Sequence, residues 1–576
     1  MSLSDEQRAG LALVLMVLIL MLWSQFYKPA EKPPQTNPPA ATNVQQPPAA
    51  VSPGPTPAMQ AHAKTALAAR AVAPPIAAKQ ASAEETITVI SGLYRVELSN
   101  RGAVAKSWRL NHYEDGGSPP KPLELVHADA ASQLHAWPLS VRLDDAGLEA
   151  AANSGLYVIN PKETTLHTPA EVDFEWGDGH LDVSKKLKFG TDYETSIEIS
   201  ATLDGKPLPV GLAWRGGFGD PSVINAAESV QVFYSTGGKL YTIVYKKLGE
   251  KDHPDQSAMA AGNAEFGGVQ DLFFAAAFLP NEPGMAIWDR TEQQNITAEG
   301  KTTQQPVVEM AAGTEMPGPF DVRLYVGPKD LTALGKVKPS LSELVQYGWF
   351  GVIAKPLLEL LKWTYKYVPN YGWCVILLTL AISVVLFPLK VKGWRSMQRM
   401  QKVAPEVRSI QDRYKKYSLR DPRRKGMNDE VMAVYQREGI NPLAMGGCLP
   451  TLVQLPILYA LWRMLEFSIE LRHAPWIGWI HDLSARDPYY ILPIIVTITM
   501  YYMSKMTPTT AMGDPTQQKM MKYMPLAFGF FFFVLSAGVN LYMVTSNLVG
   551  VAQQWYLMKS QPLPSRSPFK KKPAKA

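Results

Sequence analysis

Five apolar runs dominate the second half of the chain, over residues 371–389, 446–467, 489–506, 523–535 and 538–557. Most approach the roughly 17–25 residues that carry a helix across the hydrocarbon of a bilayer. The run 523–535 is shorter, so it is expected to begin a few residues earlier or to sit in thinned lipid. Thr379, Ser383, Gln454, Asn540, Thr545, Ser546 and Asn547 fall inside these runs. A polar side chain in hydrocarbon is costly unless it faces other helices or water. The pattern therefore predicts a helical bundle with a polar inner surface. A further apolar run, 9–23, lies between Arg8 and the group Phe26, Tyr27 and Lys28. No small-x-small cleavage signal follows it, and aromatic residues at its end suit a membrane interface, so residues 1–28 are expected to be an uncleaved anchor.

The first half alternates differently. Residues 29–83 are rich in Pro, Ala and Gln and nearly free of bulky apolar side chains. Such a segment cannot bury enough surface to fold, and reads as an extended tether. From residue 84 to about 338 the period changes to two, with alternation at 86–90, 94–98, 181–189, 193–199 and 231–234. Turn signals such as Ser91-Gly92, Asn100-Arg101-Gly102 and Gly237-Gly238 separate the runs. Many short strands with such turns predict an all-β sandwich. Its histidines, His112, His127, His135, His167, His180 and His253, are scattered without metal-ligand spacing. The glycine-rich stretch from Trp214 to Asp220 lacks the order of a phosphate loop and reads as a turn. Residues 339–368 are amphipathic and aromatic-rich. They predict a helix along the membrane surface, with the approach to the first core helix from Pro356; packing on the β-domain is the alternative.

Charge adds the orientation. The net charge is +6 and the mean hydropathy −0.09, but both averages hide two unlike halves. Between the first two core helices, residues 390–438 carry 14 Lys or Arg against 6 Asp or Glu. Met397, Met400, Val403, Val407, Ile410 and Tyr414 form one amphipathic arm, and Val431, Val434 and Tyr435 a second, around a basic Pro/Gly turn. This predicts an antiparallel helical hairpin, cytoplasmic by the positive-inside rule. The near-neutral loop 470–487 is then outside, the loop 505–522 with three Lys inside, and the tail 559–576 inside. Counting back places the β-domain outside and Met1 inside. The two cysteines, Cys374 and Cys448, both fall in expected membrane helices, so no disulfide framework is expected.

The second half resembles the bacterial YidC membrane protein insertase family, with its mitochondrial and thylakoid relatives. The resemblance rests on Tyr347-Gly348-Trp349-Phe350, Asn441-Pro442-Leu443, Gly446-Gly447-Cys448, Trp479-Ile480-His481-Asp482-Leu483-Ser484, Asp487-Pro488-Tyr489-Tyr490, Met506-Thr507-Pro508-Thr509-Thr510, Gln517-Gln518-Lys519-Met520-Met521 and Ser546-Asn547-Leu548, in family order. It implies a polytopic α-helical membrane protein, with an N-terminal anchor plus a five-helix insertase core (369–558) and a large all-β periplasmic domain, a β-supersandwich. It further implies a groove open to cytoplasm and lipid, lined by Thr379, Ser383, Gln454, Tyr542, Met543 and Asn547. Ser383 stands where the family usually carries a positive residue, and Met543 where an aromatic is frequent. Implied partners are nascent inner-membrane proteins, the lipid bilayer, the Sec translocon (SecYEG, SecDF), and the ribosome and signal-recognition machinery. The last two would meet the hairpin through Arg413, Lys415, Lys416, Arg420, Arg423, Arg424 and Lys425, and the tail through Lys570, Lys571, Lys572 and Lys575. Topology alone also accounts for the charge of the tail. Arg463 sits near Glu466 and Glu470 and is expected to pair with them or snorkel. No nucleophile–base set or nucleotide loop is found, and no cofactor is expected. The alternative function is a transporter or channel with an extracytoplasmic binding domain, which should show paired repeats or a path of intramembrane charges.

Overall fold

A computed structural model describes residues 78–117, 119–223, 229–247, 262–298, 301–414, 417, 423–437, 449–506, 523, 526 and 529–560. The run 9–23, nearly all of the tether, the basic tail with Lys570, Lys571, Lys572 and Lys575, and Cys448 lie outside the described residues, as does part of the run 523–535. The chain divides into two compact units, with the boundary between Gly327 and Pro328.

The first unit is built from strands whose inward side chains alternate. Leu181–Phe189 buries Leu181, Val183, Lys185, Leu187 and Phe189 and turns the residues between them outward. Among the described residues the strands form three sheets. The ten-stranded sheet runs Lys239–Val244, Gln231–Thr236, Phe266–Gln270, Phe274–Pro280, Phe320–Pro328, Glu194–Leu203, Leu181–Phe189, Ala170–Gly177 and Val158–Asn160, with Lys206–Pro207 beside Glu194–Leu203. A five-stranded sheet centres on Tyr94–Ser99 and a four-stranded sheet on the long hairpin Met285–Ala298 and Lys301–Thr314. Gly237 and Gly238 both take positive φ, 58° and 69°, as a two-residue hairpin turn requires. Tyr94, Trp108, Phe189, Trp214 and Phe218 make a continuous aromatic core, with ring centroids 5.2–6.4 Å apart. The unit is not purely β. Helices Ala128–Leu134 and Ala146–Ser154 interrupt it, the second because Asp145 accepts from the amides of Gly147 and Leu148 at 2.8 and 2.9 Å. The last tether residues also join this unit, where the Lys79 amide donates to the Gly177 carbonyl at 3.0 Å.

The second unit is helical. Two single 3-10 turns, Ser342–Leu344 and Gly348–Phe350, precede α1 (Gly351–Tyr365), so the amphipathic stretch expected from residue 339 becomes helical only at 351. α1 runs through Pro356, where the sequence pattern starts the approach to the core, and buries Ala354, Leu358 and Leu361. Lys362 on α1 pairs with Glu470 at 2.6 Å and Asp330 at 3.1 Å. Burial works to lower its pKa, but the two carboxylates outweigh it and raise it. α2 (Tyr371–Tyr414) has 44 residues and contains both the first apolar run and the first arm of the hairpin, which is therefore no separate helix. α3 (Arg423–Arg437) packs back on it through Val403, Val407, Ile410, Val434 and Tyr435. α4 (Leu449–Phe467), α5 (Ile491–Met506) and α6 (Ala537–Ser560) follow. Among the described residues, α2 alone is long and apolar enough to cross a membrane by length and composition, and α5 is a shorter apolar helix. Arg463 meets the expectation only in part, through the charge that Glu466 feels from it. Its guanidinium donates to the Gln346 carbonyl and lies over the Phe467 ring, while Glu470 is taken by Lys362. A backbone carbonyl within reach supplies the hydrogen-bond acceptor, while the half-buried Glu466 carboxyl interacts with the guanidinium through its charge.

Candidate functional site

One face of α2 carries Thr379, Ile382, Ser383, Leu386 and Lys390 at steps of three and four residues, the spacing that stacks side chains on a helix. Opposite them stand Gln454 and Ile457 of α4, and Tyr542 and Ser546 of α6. Together these residues line a recess of about 10 Å³, space for about one water molecule. Four of the residues expected to line a groove, Thr379, Ser383, Gln454 and Tyr542, meet there. Thr379 and Ser383 are 2% and 6% exposed, so their hydroxyls face helices and this small space rather than bulk water. The Thr379 hydroxyl donates to the Val375 carbonyl at 2.7 Å, within its own helix, which leaves its oxygen lone pairs for a guest.

The other two expected lining residues lie elsewhere. The Asn547 amide donates to the Thr499 hydroxyl of α5 at 3.1 Å, and one heptad on, Gln554 donates to the Met506 carbonyl at 2.9 Å. Asn547 thus belongs to the face of α6 that packs on α5, and Met543 is absent from the recess lining. A side chain at Gly550 would come within 3.0 Å of the Met503 sulfur, which shows how closely α5 and α6 approach.

Lys390, Ser546 and Gln553 complete the polar set. The Lys390 ammonium donates to Gln553 Oε1 at 2.9 Å, and Gln553 Nε2 donates to the Ser383 carbonyl at 3.2 Å. One amide on α6 thereby spans two turns of α2. Lys390 makes no ion pair with a carboxylate among the described residues.

The recess is sealed toward the N-terminal end of α2. The Asn370 amide donates to the carbonyls of Pro475 and Trp476 at 3.1 and 3.3 Å, and the Trp476 ring occupies the space a side chain at Gly372 would need. The amides of Ala537 and Gly538 donate to the Ala485 and Leu483 carbonyls at 2.6 and 2.8 Å. Buried Asp487 accepts from Trp479 Nε1 and from the Tyr489 and Leu492 amides at 3.0, 3.0 and 2.6 Å. The loop 472–487 therefore ties the leading ends of α2, α5 and α6 into one plug. Asn540, fully buried, adds donations to the Phe532, Leu535 and Ser536 carbonyls.

Of the basic hairpin residues, Arg413 pairs with Glu430 at 2.7 Å. Arg423, Arg424 and Lys425 open α3, while Lys415, Lys416 and Arg420 lie outside the described residues.

The profile of the 60Kd inner membrane protein family matches residues 363–564, and that of the YidC periplasmic domain matches residues 86–360. A membrane protein insertase YidC of Methylobacillus flagellatus is 33% identical over 96% of this chain and 97% of its own length. One from Syntrophus aciditrophicus is 32% identical over 96% of this chain and 99% of its own. Among solved structures, an active YidC insertase with its first transmembrane domain resolved aligns over 83% of this chain and 94% of its own, at 18% identity and a TM-score of 0.34.

Proposed function

The chain belongs to the YidC family of membrane protein insertases, and from that premise we propose that it inserts nascent inner-membrane proteins by admitting their polar segments to the recess between α2, α4 and α6. The observation that carries this reading is the recess itself, polar on three helices and plugged at one end by the loop 472–487. A charged residue at mid-bilayer costs about 2.5–3.5 kcal/mol on insertion scales. Hydroxyls and amides held partway into the bilayer, with Lys390 at the mouth, lower that cost for a client's hydrophilic end while its apolar part moves into lipid. Burial of the client's apolar segment and the membrane potential then supply the driving force.

In this reading the helical unit is a polytopic five-span core in the inner membrane, with both chain termini and the hairpin in the cytoplasm and the β-unit in the periplasm. The Sec translocon and the ribosome are its partners, the latter through the basic hairpin and tail. A space of about 10 Å³ does not hold a peptide, so the helices around it must part for a client to enter.

Photo-crosslinkers placed at Thr379, Ser383 and Gln454 test this. Each is expected to capture a short nascent client during synthesis, with little capture from Val384 and Val385 on the exposed side of α2. Capture at Val384 and Val385 with none in the recess would assign clients to the lipid face instead.

A further inference from the structure

We propose that the cleft between helix Ala128–Leu134 and the long hairpin of the β-unit binds a neutral saccharide, through hydrogen bonds with Arg215, Arg290, Gln294 and Glu309. The cleft encloses about 290 Å³, near the lower end of the range in which small-molecule sites fall. The hairpin supplies one wall. Arg290 and Gln294 of Met285–Ala298 share a sheet face with Val307 and Glu309 of Lys301–Thr314, and Arg290 stands opposite Glu309 in the register. The facing wall is the C-terminal end of the helix. There Leu134 packs on Ala130, Ile296 and Val307, and His135 turns the chain away at a φ of 50°. Arg215 closes the site from the glycine-rich stretch Trp214 to Asp220. Gly216 beside it takes a φ of 79° and lies against Ala131 and Ala136, so any side chain there would push Arg215 off the helix end.

The charges are arranged before any ligand arrives. The Arg215 guanidinium donates to Glu149 Oε1 at 2.7 Å and lies 3.9 Å from Glu309 Oε2, while Glu149 Oε2 accepts from the Leu143 amide at 3.0 Å. Two guanidiniums in the wall repel a cation, and Glu309 between them repels an anion, so a ligand without net charge is favoured. A guanidinium only donates hydrogen bonds, a carboxylate only accepts them, and Gln294 does both. A hydroxyl is donor and acceptor at once, so a ring that carries several of them can use every polar group of the cleft. Its C–H face then meets Leu134 and Val307. A peptide main chain fits less well. The cleft opens on the face of the hairpin, where the backbone groups of the two strands are spent on each other, so no free ladder is offered. The recess between α2, α4 and α6 belongs to the other unit, and the saccharide site stands or falls without it.

The full-length protein in lipid nanodiscs, titrated in turn with maltose, chitobiose, tetra-alanine and inorganic phosphate, provides the test. Saturation-transfer NMR reads each probe, and hydrogen exchange reads the hairpin. At least one disaccharide is expected to bind at millimolar concentration and to slow exchange in Met285–Ala298 and Lys301–Thr314, with neither the peptide nor phosphate doing so. Gln294→Leu and Glu309→Gln should each raise its Kd about tenfold while the urea midpoint of the β-unit stays in place. Should either variant unfold the unit, Arg290→Gln, at an exposed position of the same wall, carries the same expectation. Absence of transfer to both disaccharides overturns the proposal. So does binding that these variants leave unchanged or that slows exchange only elsewhere, because the sugar then sits at another place. Tighter binding of tetra-alanine or phosphate also overturns it, by assigning the cleft to a peptide or an anion.

Discussion

Lys185 holds an inward position on Leu181–Phe189, between Val183 and Leu187, where the alternation calls for an apolar side chain. Its ammonium donates to the carbonyls of Gly102, Ala103 and Leu139 at 2.8, 2.9 and 2.7 Å. Burial pushes its pKa well below the usual lysine range, yet three acceptors want three donated protons, which only the charged form supplies. Lys185→Met fills the volume but strands those carbonyls, so it should destabilise the β-unit by about 2–4 kcal/mol, read as a lower urea midpoint in pulse proteolysis. His127 makes a pH-dependent counterpart. It is half-buried, and desolvation lowers its pKa against the opposing pull of the Gly219 carbonyl, Glu124 and Asp220. The unfolded chain then binds a proton that the folded unit refuses. Stability is full above the ordinary histidine value and falls as pH drops below it, by up to about 1.4 kcal/mol per pH unit. His127→Gln should flatten that slope between pH of about 6.5 and 5; an unchanged slope would assign it to other groups. At this same scale, part of the recess was legible and part was not. Thr379 and Ser383 lie one turn apart on α2, and the structure places both beside Gln454 and Tyr542. Met543 and Asn547 could have been set aside by helical arithmetic, because they are one and five residues from Tyr542 and so lie about 100° and 140° around the helix from it. Lys390 and Gln553 carried no such signal. A lysine that ends an apolar run reads as a boundary, and only the pairing of α2 with α6 reveals what it touches.

Among the elements, the hairpin was the most legible, because each arm repeats its apolar residues at helical steps. What the sequence could not show is that the first arm is the same helix as the first span. No turn interrupts residues 371–414, and Pro388, Gly393 and Pro405 are all absorbed within α2. Its antiparallel register is visible in two ion pairs. A step of seven residues back along α2, from Arg413 to Glu406, matches seven forward along α3, from Glu430 to Arg437. Those pairs are 41–63% exposed, so they set alignment and add little stability. Packing does the holding, through Val403, Val407, Ile410, Val434 and Tyr435. Ile410→Ala should cost the hairpin about 2–5 kcal/mol and strip hydrogen-exchange protection from α3, while Arg413→Gln should leave that protection nearly intact. Equal loss in both variants would make the charges, not the apolar seam, the source of cohesion. The surface helix α1 was misjudged in extent for a related reason. Amphipathic spacing begins near residue 339, but the segment before 351 spends its residues on two short turns. One of them places Gln346 where its carbonyl can receive Arg463.

At the scale of the whole molecule, length and charge together bear on how the chain stands in a bilayer. At 1.5 Å per residue, the 44 residues of α2 extend about 66 Å, twice the ~30 Å hydrocarbon core. The apolar part, residues 371–389, matches that core alone. From Lys390 onward the helix turns basic and must project into water on the side that tolerates positive charge. The plug of loop 472–487 gathers at the other end of the same helix, so on the proposed orientation the sealed end of the recess and the basic hairpin lie on opposite sides of the membrane. On the proposed orientation the β-unit, which precedes α1 in the chain, lies on the side opposite the hairpin. Single cysteines at Lys206, on the exposed short strand Lys206–Pro207 of the β-unit, and at Ser409, on the exposed face of the hairpin, test this in a chain whose Cys374 and Cys448 are replaced by serine. An impermeant thiol reagent applied to spheroplasts should label Lys206→Cys at once and Ser409→Cys only after the inner membrane is opened. Labelling of both from outside, or of Ser409→Cys first, would reverse the orientation. It would also place the recess, with Lys390 at its mouth, on the side of the membrane where no nascent chain arrives.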